Sequence, residues 1–155
     1  MVLHLSRSQI APRNDPHDWN TWDHYRTIHE GRLREHSFVV SDTLAFTDEG
    51  EGVILLRGTV QCQKKAQLDV VKWFETRYFG NTLRVRCHTY VYIGWLQGEH
   101  LLLKYHNVHS DRDEYHHRIF DPSNGVEVFH EVLERHQFPL FTEVLDELQI
   151  LAQDL

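Results

Sequence analysis

The sequence is poor in cysteine and contains no long hydrophobic run. Its 155 residues include two cysteines, Cys62 and Cys87, and no Cys-x-x-Cys pair, so a thiolate zinc site or a dithiol redox motif is not expected. No segment approaches the roughly 18–20 apolar residues that a membrane-spanning helix needs. The first residues also lack the apolar core of a secretory signal. We therefore expect a cytoplasmic protein without a membrane segment, whose two thiols are buried and reduced.

Basic residues are outnumbered by acidic ones. The chain has 16 Lys and Arg against 23 Asp and Glu, which gives a formal net charge of −7 with histidine neutral. Such a protein gains little non-specific attraction to a phosphate backbone, so any contact with nucleic acid must come from a local basic patch. The charge depends strongly on pH, because protonating all 13 histidines would turn −7 into +6.

Length and composition indicate one ordinary globular domain. Hydrophobic residues make up 41% of the chain and charged residues 25%, which is typical of a domain large enough to bury a core. The sequence shows no internal repeat and no low-complexity tract. We expect residues 1–155 to form a single domain, with 1–65 as an extension of unclear role and 66–155 as the core.

Periodicity predicts an α+β fold in which an antiparallel β-sheet has helices packed on one face. Strand patterns occur at 37–46, 53–62, 68–79, 83–95, 101–106 and 116–120. Helical spacing follows Asp18, recurs in a short segment at 128–136, and recurs again after Pro139. The last helix has an apolar stripe, and its acidic face is expected to be solvated. That acidic face consists of Glu143, Asp146, Glu147 and Asp154.

The clearest strand is 83–95, where apolar residues alternate with basic or aromatic ones. A three-residue loop at 97–99 would align like faces of this strand and the next, pairing Tyr92 with Lys104 and Tyr90 with His106. One face of the sheet is then predicted to carry Arg84, Arg86, His88, Tyr90, Tyr92, Lys104 and His106. Such a face is either an ordinary solvated surface or the working surface of the protein.

Histidine is concentrated in one short stretch. Four of the 13 histidines fall within the 15 residues from Lys104 to Arg118, where an even spread would place one or two. They are His106, His109, His116 and His117. Histidine titrates near neutral pH and is the commonest metal ligand, so this stretch is where we expect the chemistry.

Residues 68–148 resemble the TumE-type toxins of bacterial and archaeal toxin–antitoxin pairs. The resemblance lies in Tyr90-Val91-Tyr92, in Lys104-Tyr105-His106-Asn107 and in His116-His117-Arg118. Members of that family carry two strands ending in a basic-aromatic-Asp-Asn motif, then a loop with paired histidines and a C-terminal helix. Here His106 stands where the motif has aspartate, and residues 1–65 have no recognised counterpart. The resemblance implies a toxin-like core at 66–155 and an antitoxin protein as partner.

The first functional hypothesis is a metal-independent endoribonuclease that needs no cofactor. Cleavage of RNA by its own 2′-hydroxyl requires a general base, a general acid and cations that stabilise the phosphorane. Candidate catalytic residues are His88, His106, His116, His117, Arg86 and Arg118. Candidate substrate-binding residues are Arg84, Tyr90, Tyr92, Lys104 and Asn107. The tyrosines are assigned to stacking on bases or to donating a hydroxyl.

Two alternatives remain open. A metal-dependent hydrolase would hold a divalent transition metal such as zinc, manganese or iron, although the ligand spacing matches no standard motif. Its ligands would be His106, His109, Asp111, Asp113 and His116. The other alternative is a non-catalytic module that binds a protein or a nucleic acid through the basic-aromatic face. No membrane partner is expected, and the sequence leaves a homo-oligomer open.

Overall fold

The computed structural model of the protein describes residues 6–8, 10, 18–107 and 114–153. These residues form one antiparallel sheet of nine strands and two α-helices. The strands are β1 (Asn20–Thr21), β2 (Val39–Asp42), β3 (Ala45–Gly50), β4 (Val53–Cys62), β5 (Ala66–Phe79), β6 (Thr82–Leu96), β7 (His100–His106), β8 (Tyr115–Phe120) and β9 (Glu127–Leu133). The helices are α1 (Trp22–Glu35) and α2 (Phe141–Gln153).

Most of the sheet is an antiparallel meander. Strands β4 to β9 pair in chain order, β2 and β3 both pair with β4, and β1 pairs with β6. The predicted helix at 128–136 is wrong, because this segment pairs with β8 as strand β9. Tertiary pairing decided its conformation, since a short amphipathic run suits either a helix or an edge strand. A 3₁₀ turn, Arg135–Gln137, follows it.

Helix α2 packs its apolar stripe against the sheet, as predicted. Phe141 and Leu148 are among its buried residues, and the ring of Phe141 lies 6.0 Å from that of Tyr92. Gly94 makes room for this helix, because a Cβ there would lie 2.8 Å from Leu148 Cδ1. The acidic side of α2 is not all solvated, since Glu147 is buried and accepts a hydrogen bond from the hydroxyl of Tyr105.

Helix α1 begins at Trp22, four residues after Asp18, which precedes the predicted helical spacing. Thr21 is the N-cap, and its hydroxyl accepts a hydrogen bond from the backbone N–H of His24. The ring of Tyr25 packs 4.9 Å from Phe74 in the core. Neither described helix is long and apolar enough to cross a membrane. Cys62 and Cys87 are free and buried, as expected.

The three-residue loop at 97–99 is confirmed, but a β-bulge changes the register beyond it. Trp95 pairs with Leu101 whereas Gly94 pairs with Leu103, which leaves Leu102 as an extra residue on β7. Both leucines of the bulge are buried. One extra residue exchanges the faces of every residue beyond it. The predicted pairs of Tyr92 with Lys104 and of Tyr90 with His106 are therefore wrong.

In the observed register, His106 pairs with Val91 and Lys104 pairs with Ile93. Tyr92 instead pairs with Tyr105, and both are fully buried. The side chains of Lys104 and His106 therefore lie on the opposite face of the sheet from Tyr90 and Tyr92.

A second bulge divides β6 itself. His88 is the extra residue, because Cys87 pairs with Phe74 and the next pair is formed by Thr89. Val85 and Cys87 face the core before the bulge, whereas Tyr90 and Tyr92 face it afterwards. The predicted face is thus split: the arginines that precede His88 and the tyrosines that follow it lie on opposite sides of the sheet. The sheet dominates the fold, which agrees with the α+β class only in this broad sense.

Candidate functional site

Three neighbouring strands bring five basic side chains to one face of the sheet. His106 of β7 pairs with His116 of β8, and Arg118 of β8 pairs with Lys104 on one side and His130 on the other. Residues directly opposite each other in antiparallel strands share a face. We call these five residues the basic cluster. They lie on the side of the sheet away from α2 and are half-buried, apart from the exposed His130.

The imidazoles of the basic cluster stack in a row. The ring centroids of His106 and His116 are 5.0 Å apart, and those of His116 and His130 are 5.2 Å apart. His116 Nδ1 lies 2.9 Å from His130 Nε2, so one of them donates to the other. Arg118 Nε donates to His106 Nε2 at 3.3 Å, and its Nη1 donates to Glu127 at 2.6 Å. When neutral, His106 therefore carries its proton on Nδ1.

Burial and crowding of like charges lower the pKa values of His106 and His130 in the basic cluster. The pKa of His106 is lowered to about 4, mainly by burial and secondly by the charge of Lys104. Burial and then Arg118 also lower the pKa of His130. Both rings are consequently neutral at pH 7 in the free protein. An anion bound among them would offset the repulsion and favour protonation.

His117 follows His116 in sequence but lies on the opposite face, fully buried. Its Nδ1 is 2.8 Å from Glu131 Oε1 and its Nε2 is 2.6 Å from Glu147 Oε1. The ring of Tyr105 stacks on it at 4.2 Å, and the hydroxyl of Tyr105 donates to Glu147. Burial opposes the charged imidazole, but the hydrogen bonds and charges of the two glutamates outweigh it and raise the pKa of His117. This arrangement explains why Glu147 is buried, and it favours the charged form of His117 in a structural role.

Three of the predicted substrate-binding residues have structural roles: two are buried in the core, and the third is hydrogen-bonded to the backbone. Tyr90 and Tyr92 are fully buried, so the expected stacking on bases is wrong for both. Their ring centroids lie 5.8 and 5.4 Å from Lys72 Nζ. Asn107 Oδ1 accepts from the Tyr90 backbone N–H and its Nδ2 donates to the His88 carbonyl, both at 2.8 Å. Asn107 therefore joins the ends of β6 and β7.

The remaining predicted residues lie away from the basic cluster. Arg84 is exposed, with its guanidinium carbon 4.8 Å from the centre of the Phe79 ring. Arg86 and His88 line a separate pocket of about 340 Å³. The residues predicted as one site are thus divided among the basic cluster, this pocket, the core and the exposed end of β6.

The alternative metal site falls partly outside the described residues, since His109, Asp111 and Asp113 belong to 108–113. Its other two members, His106 and His116, stack on each other. Within the described ranges, no group of three or more His, Cys, Asp or Glu side chains is placed to hold a metal ion.

His130 is the member of the basic cluster that sequence reasoning missed. The segment was predicted to be helical, so the residue was assigned no position on the sheet. The available signal was the β-branched and aromatic residues Val128, Phe129 and Val132, which favour a strand.

Comparison with known proteins identifies no relative. No protein-family model matches the chain, no curated protein matches its sequence and no solved structure matches its fold.

Proposed function

We propose that the protein is a metal-independent endoribonuclease of the toxin type and that the basic cluster is its catalytic surface. The observation that supports this most directly is the row of three stacked histidines with Lys104 and Arg118 on one face. On a chain of net charge −7, such a local concentration of basic groups favours an anionic ligand. The resemblance of residues 68–148 to TumE-type toxins supports the same choice.

An open face is needed for a long substrate, and we infer that both helices cover the other one. Tyr25 of α1 contacts Phe74, and Phe141 of α2 contacts Tyr92. Both contacted side chains are fully buried and belong to the core cluster. The face of the sheet that carries the basic cluster is then accessible for RNA binding.

The reaction assigned to the basic cluster is transesterification, in which the phosphoryl group is transferred from the 5′-oxygen to the 2′-oxygen. The 2′-oxygen attacks phosphorus, the bond to the 5′-oxygen breaks, and the products are a 2′,3′-cyclic phosphate and a 5′-hydroxyl. His106 accepts the 2′-hydroxyl proton through Nε2 once Arg118 turns to the phosphate. The hydrogen-bonded pair of His116 and His130 donates a proton to the leaving oxygen. Lys104 and Arg118 stabilise the added negative charge.

Phosphate binding prepares the acid for this reaction. In the free protein, burial and then the neighbouring cations disfavour protonation of His106 and His130, which lowers the pKa of each. A phosphodiester anion between Lys104 and Arg118 reverses the sign of the local field. We therefore expect substrate binding to be accompanied by proton uptake, measurable as a buffer-dependent heat in calorimetry.

The test is cleavage of a labelled oligoribonucleotide in the presence of a metal chelator. His106→Ala and His116→Ala should each lower kcat about 10²–10⁴-fold, with the thermal midpoint little changed. His24→Ala is the matched control, because this exposed histidine of α1 lies outside the basic cluster. Full activity in both cluster variants, or activity that is abolished by chelator and restored by a metal, would reject the proposal. Binding of RNA without cleavage would favour the non-catalytic module instead.

The toxin role adds a partner to the proposal. An antitoxin that blocks the basic cluster would present acidic groups to it, since opposite charges give orientation and fast association. Co-expression with the protein encoded next to this chain's gene should yield a complex in which the cleavage activity is suppressed. A neighbour that neither binds nor inhibits would remove the toxin role while leaving the ribonuclease open.

A further inference from the structure

A second site lies where β6 is interrupted by its bulge. The pocket of about 340 Å³ there is lined by Arg86, His88, Tyr115, Glu134 and Arg135. Its lining is connected to the basic cluster through the backbone. The His88 carbonyl accepts from Asn107, the residue after His106, and Tyr115 precedes His116. His88 is three residues before the partner of His106 in β6, which is about 10 Å along a strand.

Arg86 supplies a donor without an acceptor. Its Nε atom is buried and makes no hydrogen bond within the described part of the chain. The nearest carboxylate oxygens belong to Asp18, 3.5 Å from Nε, and to Glu75, 3.9 Å from Nη1. Buried donors are nearly always satisfied by protein or by a bound species. An oxygen-rich anion in the pocket would satisfy this one.

Arg135 is held at the wall of the same pocket. Its Nη1 donates to the hydroxyl of Tyr115 at 3.1 Å and its Nη2 donates to the carbonyl of Cys87 at 2.9 Å. Such contacts fix the guanidinium before a ligand arrives, which lowers the entropic cost of binding. Burial lowers the pKa of His88 first, and the charges of Arg135 and Arg86 lower it further against the opposing effect of Glu75. The positive potential of both arginines therefore reaches the His88 ring.

We propose that this pocket is a second phosphate-binding site, which holds the phosphate of a nucleotide adjoining the one bound at the basic cluster. Anion binding by the pocket stands on its own geometry, whereas its pairing with RNA rests on the proposed function. Planar guanidinium groups suit phosphate because they donate two parallel hydrogen bonds. The substrate class is then a single-stranded RNA of several nucleotides, one phosphate in each site.

The first experiment follows the imidazole resonances of His88 by NMR as inorganic phosphate is added. We expect the pKa of His88 to rise on binding, because an anion offsets the two arginines. Arg86→Gln should weaken phosphate binding about ten-fold, as expected when one charge-assisted contact is lost. Glu134→Gln should strengthen binding, because it removes the negative charge from the lining. A purely structural role of these residues would not move affinity in opposite directions.

The second experiment uses RNA substrates of two lengths. A tetranucleotide reaches both sites, whereas a dinucleotide with one phosphodiester reaches the basic cluster alone. Arg86→Gln should lower the ratio of kcat/KM for the tetranucleotide over the dinucleotide about ten-fold, and Arg57→Gln, an exposed arginine of β4, should leave it unchanged. The slope of log affinity against log salt for single-stranded RNA should fall by about 0.7 in Arg86→Gln, as one phosphate contact is lost.

The outcomes separate the two proposals. Phosphate that perturbs His88 in a protein that cleaves no RNA would support the pocket as an anion site and refute the ribonuclease. RNA cleavage that is equally sensitive to Arg86→Gln and Arg57→Gln, with no effect of phosphate on His88, would overturn the second site and leave the ribonuclease standing.

Discussion

Replacing His117 with glutamine would leave one buried and one largely buried carboxylate without the imidazole that they share. The side chain of His117 is 0% exposed, that of Glu131 10% and that of Glu147 6%. Glutamine approximates the size of histidine, and its amide can still donate to one carboxylate. It carries no charge, so the two carboxylates would repel each other across a neutral side chain.

The expected loss in the free energy of unfolding is about 3–4 kcal/mol at pH 7. Removing one partner of a buried ion pair costs about 3–5 kcal/mol. The variant can also avoid the repulsion between the two carboxylates if one of them takes up a proton. From an ordinary glutamate pKa of about 4.3, that costs about 4 kcal/mol at pH 7, at about 1.4 kcal/mol per pH unit. This cost sets the upper limit of the loss.

The difference between the wild type and His117→Gln should be largest near neutral pH. The pKa of His117 is raised in the folded protein, so its stabilisation is complete below about pH 6.5, the unfolded value, and is lost as pH rises through the folded value. Burial opposes ionisation of Glu131, but the hydrogen bonds from the backbone N–H of Arg7 and from His117 lower its pKa overall. The contribution of Glu131 to stability is therefore lost as pH falls. Below neutral pH the variant also loses less stability, because the free-energy cost of protonating one carboxylate falls. The difference therefore falls on both sides of neutrality.

Urea denaturation followed by tryptophan fluorescence at pH 5.5, 7.0 and 8.5 measures this difference. A loss of 3–4 kcal/mol moves the midpoint by roughly 2 M for a slope of about 2 kcal/mol per M. His116→Gln is the matched control, since the adjacent histidine lies on the other face and should cost less than about 1 kcal/mol. Equal losses in the two variants, or a difference that is constant with pH, would refute a charged His117 between two carboxylates.

Three further measurements test the packing and the thiols. Leu103→Ala should cost about 2–5 kcal/mol in thermal or urea unfolding, because Leu103 is fully buried, whereas Val91→Ala on the half-exposed face should cost less; equal costs would contradict the observed register. Cys62 and Cys87 should resist a thiol reagent at pH 8 until the protein unfolds, because burial raises their pKa values to about 12 and about 11; fast labelling of the native protein would show that the thiols are accessible. By NMR, His106 should reach half-protonation only at about pH 4, and a midpoint near pH 6.5 would contradict the burial of its ring and the crowding of cations around it.

Local patterns were sufficient for much of the fold. The strands with strict alternation and the loop at 97–99 follow from period and turn chemistry, both of which involve neighbouring residues. The stripe of α2 follows for the same reason. The bulge at His88 could not be predicted, because hydrophobic alternation continues through it. The bulge at Leu102 could not be predicted either, because three successive leucines, Leu101 to Leu103, are compatible with either register. Tyrosine added to the difficulty, since it was counted as polar although its ring prefers burial.

The candidate site shows the same division. The sequence by itself determined that histidine is concentrated around the ends of β7 and β8, and that Lys104 and Arg118 accompany it. Only the tertiary structure decided that His117 is buried between two glutamates while His116 lies on the opposite face, and that His130 completes the row. The physical reason is that the face of a strand residue depends on its register with a partner strand, and a single extra residue reverses it.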